Sequence, residues 1–322
     1  MRIFAGLVLA SAAILSASAL GERDRLAQAN AALQAGEADK ALALLNPLAQ
    51  PGGRAEAYNL RCRVEYTLEY WDWAANDCGQ AVKLDGQNSD DHLWLGRVLG
   101  EKASRAEFLN AYSLAKRVRA EFEEAARLNP RNAEALAALG EFYYSAPGVV
   151  GGGAAKAEGV AAQMDKIDPV RAHELRGGIA EQRKDNSTAE REFKQSIAGS
   201  AHPALQWMTL ASFYRRRERF AEMESAVRSG QNAAERDKHA GVALFNGASL
   251  LRATNRDPAR AAKMLEDYLG GSAKTEEAPA FVAHLWLAGL KEQLGDATAA
   301  SRERAAALAL AHEYKPAQDL KH

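Results

Sequence analysis

A glycine-rich segment followed by a lysine, Gly148 to Lys156, has the residue types of a phosphate-binding loop. Such loops hold phosphate with backbone amides at the start of a helix, and a lysine directly after the last glycine reaches the terminal phosphates. Gly148 and Gly153 have the outer spacing of that motif, G-x4-G-K-S/T. However, Ala154 and Ala155 occupy the positions of the lysine and the hydroxyl residue, and Lys156 comes two residues late.

The same segment does not complete a dinucleotide fingerprint. Gly151 and Gly153 begin G-x-G-x-x-G, but Lys156 stands where the last glycine is needed. Both motifs also require a strand before the loop, whereas residues 136–144 have helical spacing. We therefore predict a long connection between two helices, with Lys156 solvated. The glycine amides of Gly148–Gly153 could still form an anion-binding nest, so that alternative stays open.

The remaining reactive residue types give no further site. No two of the seven histidines have the i, i+4 spacing of a zinc-binding helix, and the two cysteines do not form C-x2-C. The serine hydrolase signature G-x-S-x-G is missing from the sequence. We predict no metal, no cofactor and no catalytic residue, and hence a protein that is not an enzyme.

The elements that carry these residues are predicted to be helices. Apolar and alanine positions recur at spacings of three and four through nearly the whole chain, and no convincing alternating strand pattern is present. Breakers such as Asn129-Pro130-Arg131-Asn132 and Asp168-Pro169 separate the helices. Helices of this length with short links favour hairpins stacked side by side.

A recurring pattern runs through these hairpins. Trp207, Leu210, Ala211 and Tyr214 match the first-helix signature W-x2-L-G/A-x2-Y. The second-helix signature, A-x3-F-x2-A followed by a proline, is matched by Val118, Phe122, Ala125 and Pro130. With these motifs the sequence resembles the tetratricopeptide-repeat family over roughly residues 22–312, in about eight units.

The resemblance implies an all-α fold, a right-handed superhelical solenoid of helix hairpins whose first helices line a concave face. After a signal peptide at 1–19, residues 20–322 would form this single solenoid. Its units are expected near residues 22–53, 55–88, 89–132, 133–169, 170–203, 204–237, 242–275 and 278–312. Whether the last helices, 278–312, cap the array or pair with another copy stays open.

Two units are longer than the family period. The unit at 89–132 has about ten extra residues, which predicts extended helices around 101–114. The unit at 133–169 has about five, which is the glycine segment itself. Small residues are expected to let paired helices approach closely, at Gly96, Gly140, Gly177 and Ala211.

A narrower resemblance lies in the long units. The run from Leu95 to Pro130 looks like the lengthened repeat of the regulator-of-microtubule-dynamics family. Its continuation, Ala146 to Gly153, looks more like exported bacterial repeat proteins. Because similar solenoids in the eukaryotic relatives serve as scaffolds or lipid-handling modules, a lipid remains a second class of ligand.

The N-terminus predicts export. Arg2 is followed by an apolar stretch, Ile3 to Leu15, and by the small-x-small cleavage signal Ala17-Ser18-Ala19. This pattern is typical of a signal peptide cleaved after Ala19, with an uncleaved anchor as the alternative. No later apolar run approaches membrane length, so the mature chain is predicted to be periplasmic without a transmembrane segment. The full sequence has a formal net charge of −1, so it has no basic field for nucleic acid.

The two cysteines fall on the paired helices of the second unit. Cys62 and Cys78 lie at similar distances from a turn near residues 70–72, on positions that face the partner helix. In an oxidising compartment, a disulfide between them would stabilise the fold by roughly 3 kcal/mol. Two buried thiols are the equal alternative.

The first helices predict a binding groove on the concave face. Its residues are Asn59, Arg63, Tyr66, Trp94, Arg97, Glu141, Tyr144, Arg215, Arg216, Asn246 and Leu250. This mixture of polar side chains and aromatic anchors is typical of a groove for a protein or peptide. The basic run from Arg215 to Arg219 is either a solvated helix end or a clamp for an acidic peptide or lipid phosphate. We therefore predict a protein-binding scaffold, with a carrier of lipid or another apolar ligand as the alternative.

Overall fold

The structure of the protein is a computed structural model, which describes residues 21–319. This range is helical and contains no strand. The predicted signal peptide, residues 1–19, lies outside the described residues. The helices are α1 (21–35), α2 (Ala38–Leu45), α3 (Ala55–Thr67), α4 (Trp71–Leu84), α5 (Ser89–Arg105), α6 (Phe108–Leu128), α7 (Ala133–Ser145), α8 (Ala154–Met164), α9 (Pro169–Gln182), α10 (Asn186–Gly199), α11 (Ala204–Arg216), α12 (Phe220–Ala234), α13 (Gly241–Ala253), α14 (Pro258–Gly270), α15 (Ala280–Gln293), α16 (Ala297–Leu310) and α17 (Lys315–Asp319).

These helices pack as eight successive pairs, from α1 with α2 to α15 with α16, followed by the short α17. Each second helix also contacts the first helix of the next pair, as α4 contacts α5 and α8 contacts α9. A single pair cannot bury its apolar face alone, so stacking of neighbours makes the core continuous. The prediction of an all-helical solenoid of hairpins is confirmed.

The turn inside a pair takes two forms. In six pairs it contains a residue with a left-handed backbone: Gly36, Glu69, Lys184, Glu218, Asn255 and Gly295, with φ between 52° and 83°. Such a residue ends the first helix and lets the chain reverse within a few residues. The third pair has no such residue, and the fourth has one, Gly151, within a longer connection; these are also the two pairs that the sequence predicts to be too long.

The third pair has the predicted extension. Its helices, α5 and α6, have 17 and 21 residues. The end of this hairpin exposes two large apolar side chains at the start of α6, Phe108 and Leu109, which are 83% and 79% exposed. The extra residues therefore lengthen the helices and do not add a separate element.

The fourth pair contains the glycine segment, which is a connection between α7 and α8 with one 3-10 turn, Gly148–Val150. Gly151 has a φ of 96°, a backbone that suits glycine. A side chain on Gly152 would collide with the carbonyl group of Ala146. The predicted inter-helix connection is confirmed, and local backbone geometry accounts for its glycines.

Glycines also set the distance between helices. A Cβ atom on Gly96 would lie 2.6 Å from Cδ1 of Phe122, and one on Gly177 would lie 2.6 Å from Cε1 of Phe193, in each case across a pair. Gly140 instead faces Leu175, in the first helix of the next pair. The predicted close approach is therefore confirmed at Gly96 and Gly177, and at Gly140 it occurs between pairs.

The last pair packs against the first pair, so the array closes on itself. Phe281, Leu285 and Tyr314 belong to the same buried apolar cluster as Leu26 and Leu33 of α1. A Cβ atom on Gly36, in the turn after α1, would collide with the backbone at the start of α15. The C-terminal helices thus pack on the N-terminal helices of the same chain. Closure turns the concave side of the solenoid into an inner face.

Candidate functional site

Three neighbouring recesses lie along the inner face, each lined mainly by first helices of the pairs. A further recess, about 790 Å³, lies between α1 and α3, and Asn59 and Arg63 line it. The central recess, about 660 Å³, lies between α7, α9 and α11. The aromatic recess, about 650 Å³, is lined from α3, α5, α13 and α15. The basic recess, about 370 Å³, lies between α11 and α13. The connection between α14 and α15, residues 271–279, borders the central and aromatic recesses, because Glu277 lines both.

Three of the predicted binding residues, Tyr66, Trp94 and Arg97, line the aromatic recess, and a fourth, Arg63, borders it by stacking on Trp94. The ring of Trp94 lies 5.5 Å from that of Tyr66, edge to face. The guanidinium groups of Arg63 and Arg97 lie 5.3 and 4.8 Å from the centre of the Trp94 ring. Stacked arginines cover this ring, so that Trp94 is only 9% exposed. Any contact of Trp94 with a partner therefore requires these arginines to move aside.

Arg63 forms an ion pair with an acidic residue of the same chain. Glu276, in the connection between α14 and α15, accepts two hydrogen bonds from Arg63, one of them from Nε at 2.9 Å. Gln34 of α1 donates to the same carboxylate at 3.1 Å and accepts from the Glu276 amide. We call these three residues the closing cluster, since they join the first and second pairs to the connection that precedes the last pair.

The arginines of the central recess are also paired. Arg171 and Arg97 both contact Glu134, at 2.5 and 2.6 Å. Burial alone would raise the pKa of Glu134, but the hydrogen bonds from these arginines hold it below its usual value. Arg216 donates two hydrogen bonds to Glu181, at 2.8 and 2.7 Å. These pairs leave little positive charge available for an anionic ligand.

Three other carboxylates of this recess have no arginine or lysine partner. They are Glu141 of α7, Glu174 of α9 and Glu277 of the connection, and none of them makes an ion pair among residues 21–319. Partial loss of hydration between the walls of the inner face raises the pKa of all three. Tyr144 lies in the same recess, where burial raises the pKa of its hydroxyl.

The basic recess contains the other predicted residues, Arg215, Asn246 and Leu250. Most arginines of the basic run beside this recess form ion pairs with glutamates of the same chain. Arg217 joins Arg216 on Glu181, and Arg219 contacts Glu190 at 2.6 Å. Arg216, Arg217 and Arg219 pair with carboxylates of neighbouring helices while their side chains stay 42%, 31% and 38% exposed, so the solvated helix end and the clamp both stay predictions.

Asn59 lines the recess between α1 and α3, apart from the other three. It is 7% exposed, and its Nδ2 donates to Asp91 at 2.6 Å, which joins α3 to α5. Desolvation raises the pKa of Asp91 to about 6, although the hydrogen bond from Asn59 acts to lower it. This position links two pairs inside the fold.

Backbone amides of the glycine segment are hydrogen-bonded within the chain. The N–H groups of Gly151, Gly152 and Gly153 donate to the carbonyl oxygens of Gly148, Pro147 and Tyr143, at 2.9, 3.2 and 2.7 Å. Lys156 turns back to donate to the Gly151 carbonyl at 2.8 Å. Because the segment is closed by its own hydrogen bonds, these three amides form no anion-binding nest.

Cys62 and Cys78 form a disulfide between α3 and α4, with an Sγ–Sγ distance of 2.02 Å. Within residues 21–319, no cluster of histidine, cysteine, aspartate and glutamate side chains could hold a metal ion. In the same range, no helix is both long enough and apolar enough to cross a membrane.

Several inner-face residues were not predicted from the sequence. Glu174 and Glu181 lie seven residues apart on α9, on one face of the helix, so the repeat phase used for the other first helices would have found them. Glu276 and Glu277 belong to a connection, for which the repeat assigns no inward position. Nothing in the local sequence indicates that this connection reaches Arg63.

No protein-family model matches the chain, and no curated protein sequence matches it. Solved structures are similar in fold. Yeast Tom70 is similar over 88% of this chain and 58% of its own, with 15% identity and a TM-score of 0.55. A thermophilic tetratricopeptide-repeat protein of Thermus thermophilus covers 60% of this chain and 98% of its own, with 19% identity and a TM-score of 0.49. One from Parabacteroides merdae covers 84% and 98%, with 13% identity and a TM-score of 0.46. The chain has the tetratricopeptide-repeat fold, as predicted.

Proposed function

We propose that this protein, exported to the periplasm, is a scaffold that holds a protein or peptide partner against its inner face and catalyses no reaction. One observation carries the proposal: the first helices present three neighbouring recesses that combine aromatic, aliphatic and charged side chains. Such a mixture suits anchor side chains of a partner, since a few buried contacts supply most of the binding energy. A preformed, disulfide-linked scaffold also limits the entropy lost on binding.

The charges of the inner face favour this function over transport of a lipid. An apolar ligand needs a continuous apolar wall, whereas Arg97, Glu134 and Glu141 interrupt the wall between the aromatic and central recesses. Burial of these groups under a hydrocarbon chain would remove their remaining hydration. A peptide can instead offer them hydrogen bonds.

Site-specific photo-crosslinking in the cells that produce the protein tests the proposal. A photo-reactive phenylalanine analogue is placed at Thr209, which borders the central and basic recesses, and at Ser225 of α12 as an exposed control. We expect an adduct of defined protein mass at position 209 and none at 225. A lipid-sized adduct, the same adducts at both positions, or no adduct at 209 would contradict the scaffold.

Export has a separate test. The intact mass of the protein in a periplasmic fraction should correspond to a chain that begins at Leu20. A full-length chain confined to the cytoplasm would overturn the proposed location without affecting the crosslinking result.

A further inference from the structure

The central recess presents excess negative charge to whatever enters it. Its lining contains five glutamates and three arginines. All three arginines are engaged, Arg171 by Glu134 and both Arg216 and Arg217 by Glu181. The three carboxylates without such partners come from separate elements, α7, α9 and the connection before α15. They therefore line one recess from different elements of the inner face.

A buried amide adds a fourth acceptor. Gln206 of α11 is 9% exposed and lines the same recess. Its Nε2 donates to Glu174 Oε1 at 3.3 Å, and because a carboxylate only accepts, this contact fixes which way the amide points. The Oε1 atom of Gln206 then has no donor among the described residues. A buried acceptor without a donor costs stability, which a donating ligand would restore.

Apolar side chains form the walls between these acceptors. Ala137, Leu175 and Leu205 line the recess, and Leu205 is 38% exposed. The volume of about 660 Å³ lies within the range of ligand-binding cavities. Aliphatic walls that end in carboxylates complement the stem and the charged head of a long basic side chain.

We propose that the central recess binds a cationic group on an aliphatic stem, namely an arginine or lysine side chain presented by a partner protein. This inference rests on the proposed scaffold function and names the chemistry of its partner. The cationic head enters the recess that Glu141, Glu174 and Glu277 line, beside the unpartnered oxygen of Gln206. An anionic segment would meet three unpaired carboxylates, which repel it.

Calorimetric titration of the mature, disulfide-bonded protein tests the site with small probes. The probes are a blocked pentapeptide of alanines with a central arginine, the same peptide with citrulline, and 1,5-diaminopentane. Citrulline keeps the shape of arginine and removes its charge. We expect the arginine peptide to bind at least about tenfold more tightly than the citrulline peptide, as loss of one charge-assisted hydrogen bond implies.

Variants locate the binding. Glu174→Gln and Glu277→Gln should each lower the affinity for the arginine peptide by about tenfold. Glu235→Gln, which changes an exposed residue after α12, should leave this affinity unchanged. Glu277 is exposed in a connection, so its variant keeps the test valid if Glu174→Gln unfolds the chain.

Each other outcome overturns the inference. Equal affinity for the two peptides, unchanged affinity in both recess variants, or no binding of any probe removes the cation site. Binding of the diamine alone assigns the recess to a small amine and not to a partner side chain. Protein adducts at position 209 in the crosslinking experiment would keep the scaffold even if the cation site fails.

Discussion

Glu65 is a carboxylate buried beside the ion pair of Arg61 and Asp77, with its Oε1 3.9 Å from Nε of Arg61. The side chain is 6% exposed, and its Oε2 has no hydrogen-bond donor among the described residues. The hydrogen bonds of Arg61 go to Asp77, with Nη2 3.0 Å from Oδ1. Burial, followed by the charge of Asp77, raises the pKa of Glu65 to about 8, and Arg61 opposes this only in part.

This pKa gives stability a defined dependence on pH. The usual value is 4.5, so between 4.5 and about 8 the folded chain binds more protons than the unfolded chain. The free energy of unfolding contributed by Glu65 therefore falls as pH rises through this window. We expect Glu65→Gln, which mimics the protonated form, to match the wild type near pH 5 and exceed it by a few kcal/mol above pH 8. Urea unfolding at four pH values measures this, and parallel curves for the two proteins would contradict it.

Gly96 and Gly100 lie one turn apart on α5 and face different surroundings. A Cβ atom at Gly96 would press on the Phe122 ring, whereas nothing lies within 4 Å of one at Gly100. Gly96→Ala should destabilise the protein by about 1–3 kcal/mol through overpacking, despite the better helix propensity of alanine. Gly100→Ala should stabilise it by about 0.5–1 kcal/mol. Denaturant unfolding of both variants checks the pair, and equal effects would refute the close approach of α5 and α6.

At the scale of elements, the disulfide fastens α3 to α4. Cys62 and Cys78 are separated by 16 residues and are fully buried. Closing a loop of this length in the unfolded chain stabilises the folded state by about 3 kcal/mol in the chain-entropy model. We expect the double variant Cys62→Ala/Cys78→Ala to lose about this amount in urea unfolding under oxidising conditions. Wild-type protein measured with and without a reductant separates the bond from the packing of the side chains, and equal midpoints would exclude the bond.

The helix pairs could be predicted because local rules determine them. The caps agree with the sequence: Asn132 and Asp168 accept from the amides of Ala135 and Arg171 at the starts of α7 and α9, each at 3.1 Å. The apolar period then identifies the buried faces, and extra residues either lengthen helices, as in α5 and α6, or form a connection. The pairing of the arginines was not predictable in this way. Arg216 and Glu181 lie 35 residues apart and meet only because two repeats stack.

At the scale of the whole molecule, the repeat pattern of the sequence does not predict the contact between the last pair and the first pair. Small rotations between successive pairs accumulate, and their sum decides whether α15 reaches α1. In the sequence, Phe281 and Leu285 have the spacing of apolar positions buried between neighbouring helices. In the structure they pack against the first pair. The concave face was therefore predicted as an open groove, and the structure has an inner face bordered by the chain's own Glu276 and Glu277.

Closure gives the array long-range coupling that an open solenoid lacks. In an open array each pair contacts only its neighbours, and the terminal pairs fray first. Here α1 and α2 have neighbours on both sides, since α2 contacts α3 and α16. The closing cluster should therefore contribute, together with the apolar contacts of Phe281 and Leu285, to protecting the first pair from local unfolding.

Glu276→Gln tests this coupling. The side chains of Arg63 and Glu276 are 19% and 10% exposed, so loss of the carboxylate removes charge-assisted hydrogen bonds at a partly buried site. We expect the closed state to lose about 1.5–3 kcal/mol, and amide hydrogen exchange in α1 and α2 to rise by at least about tenfold. Amides of α9 and α10, across the array, should keep their protection. Glu222→Gln is the matched control, because it removes an arginine partner, Arg219, on the outer helix α12. Unchanged exchange in α1 and α2, or a uniform rise in all helices, would show that the closing cluster does not join the ends of the array.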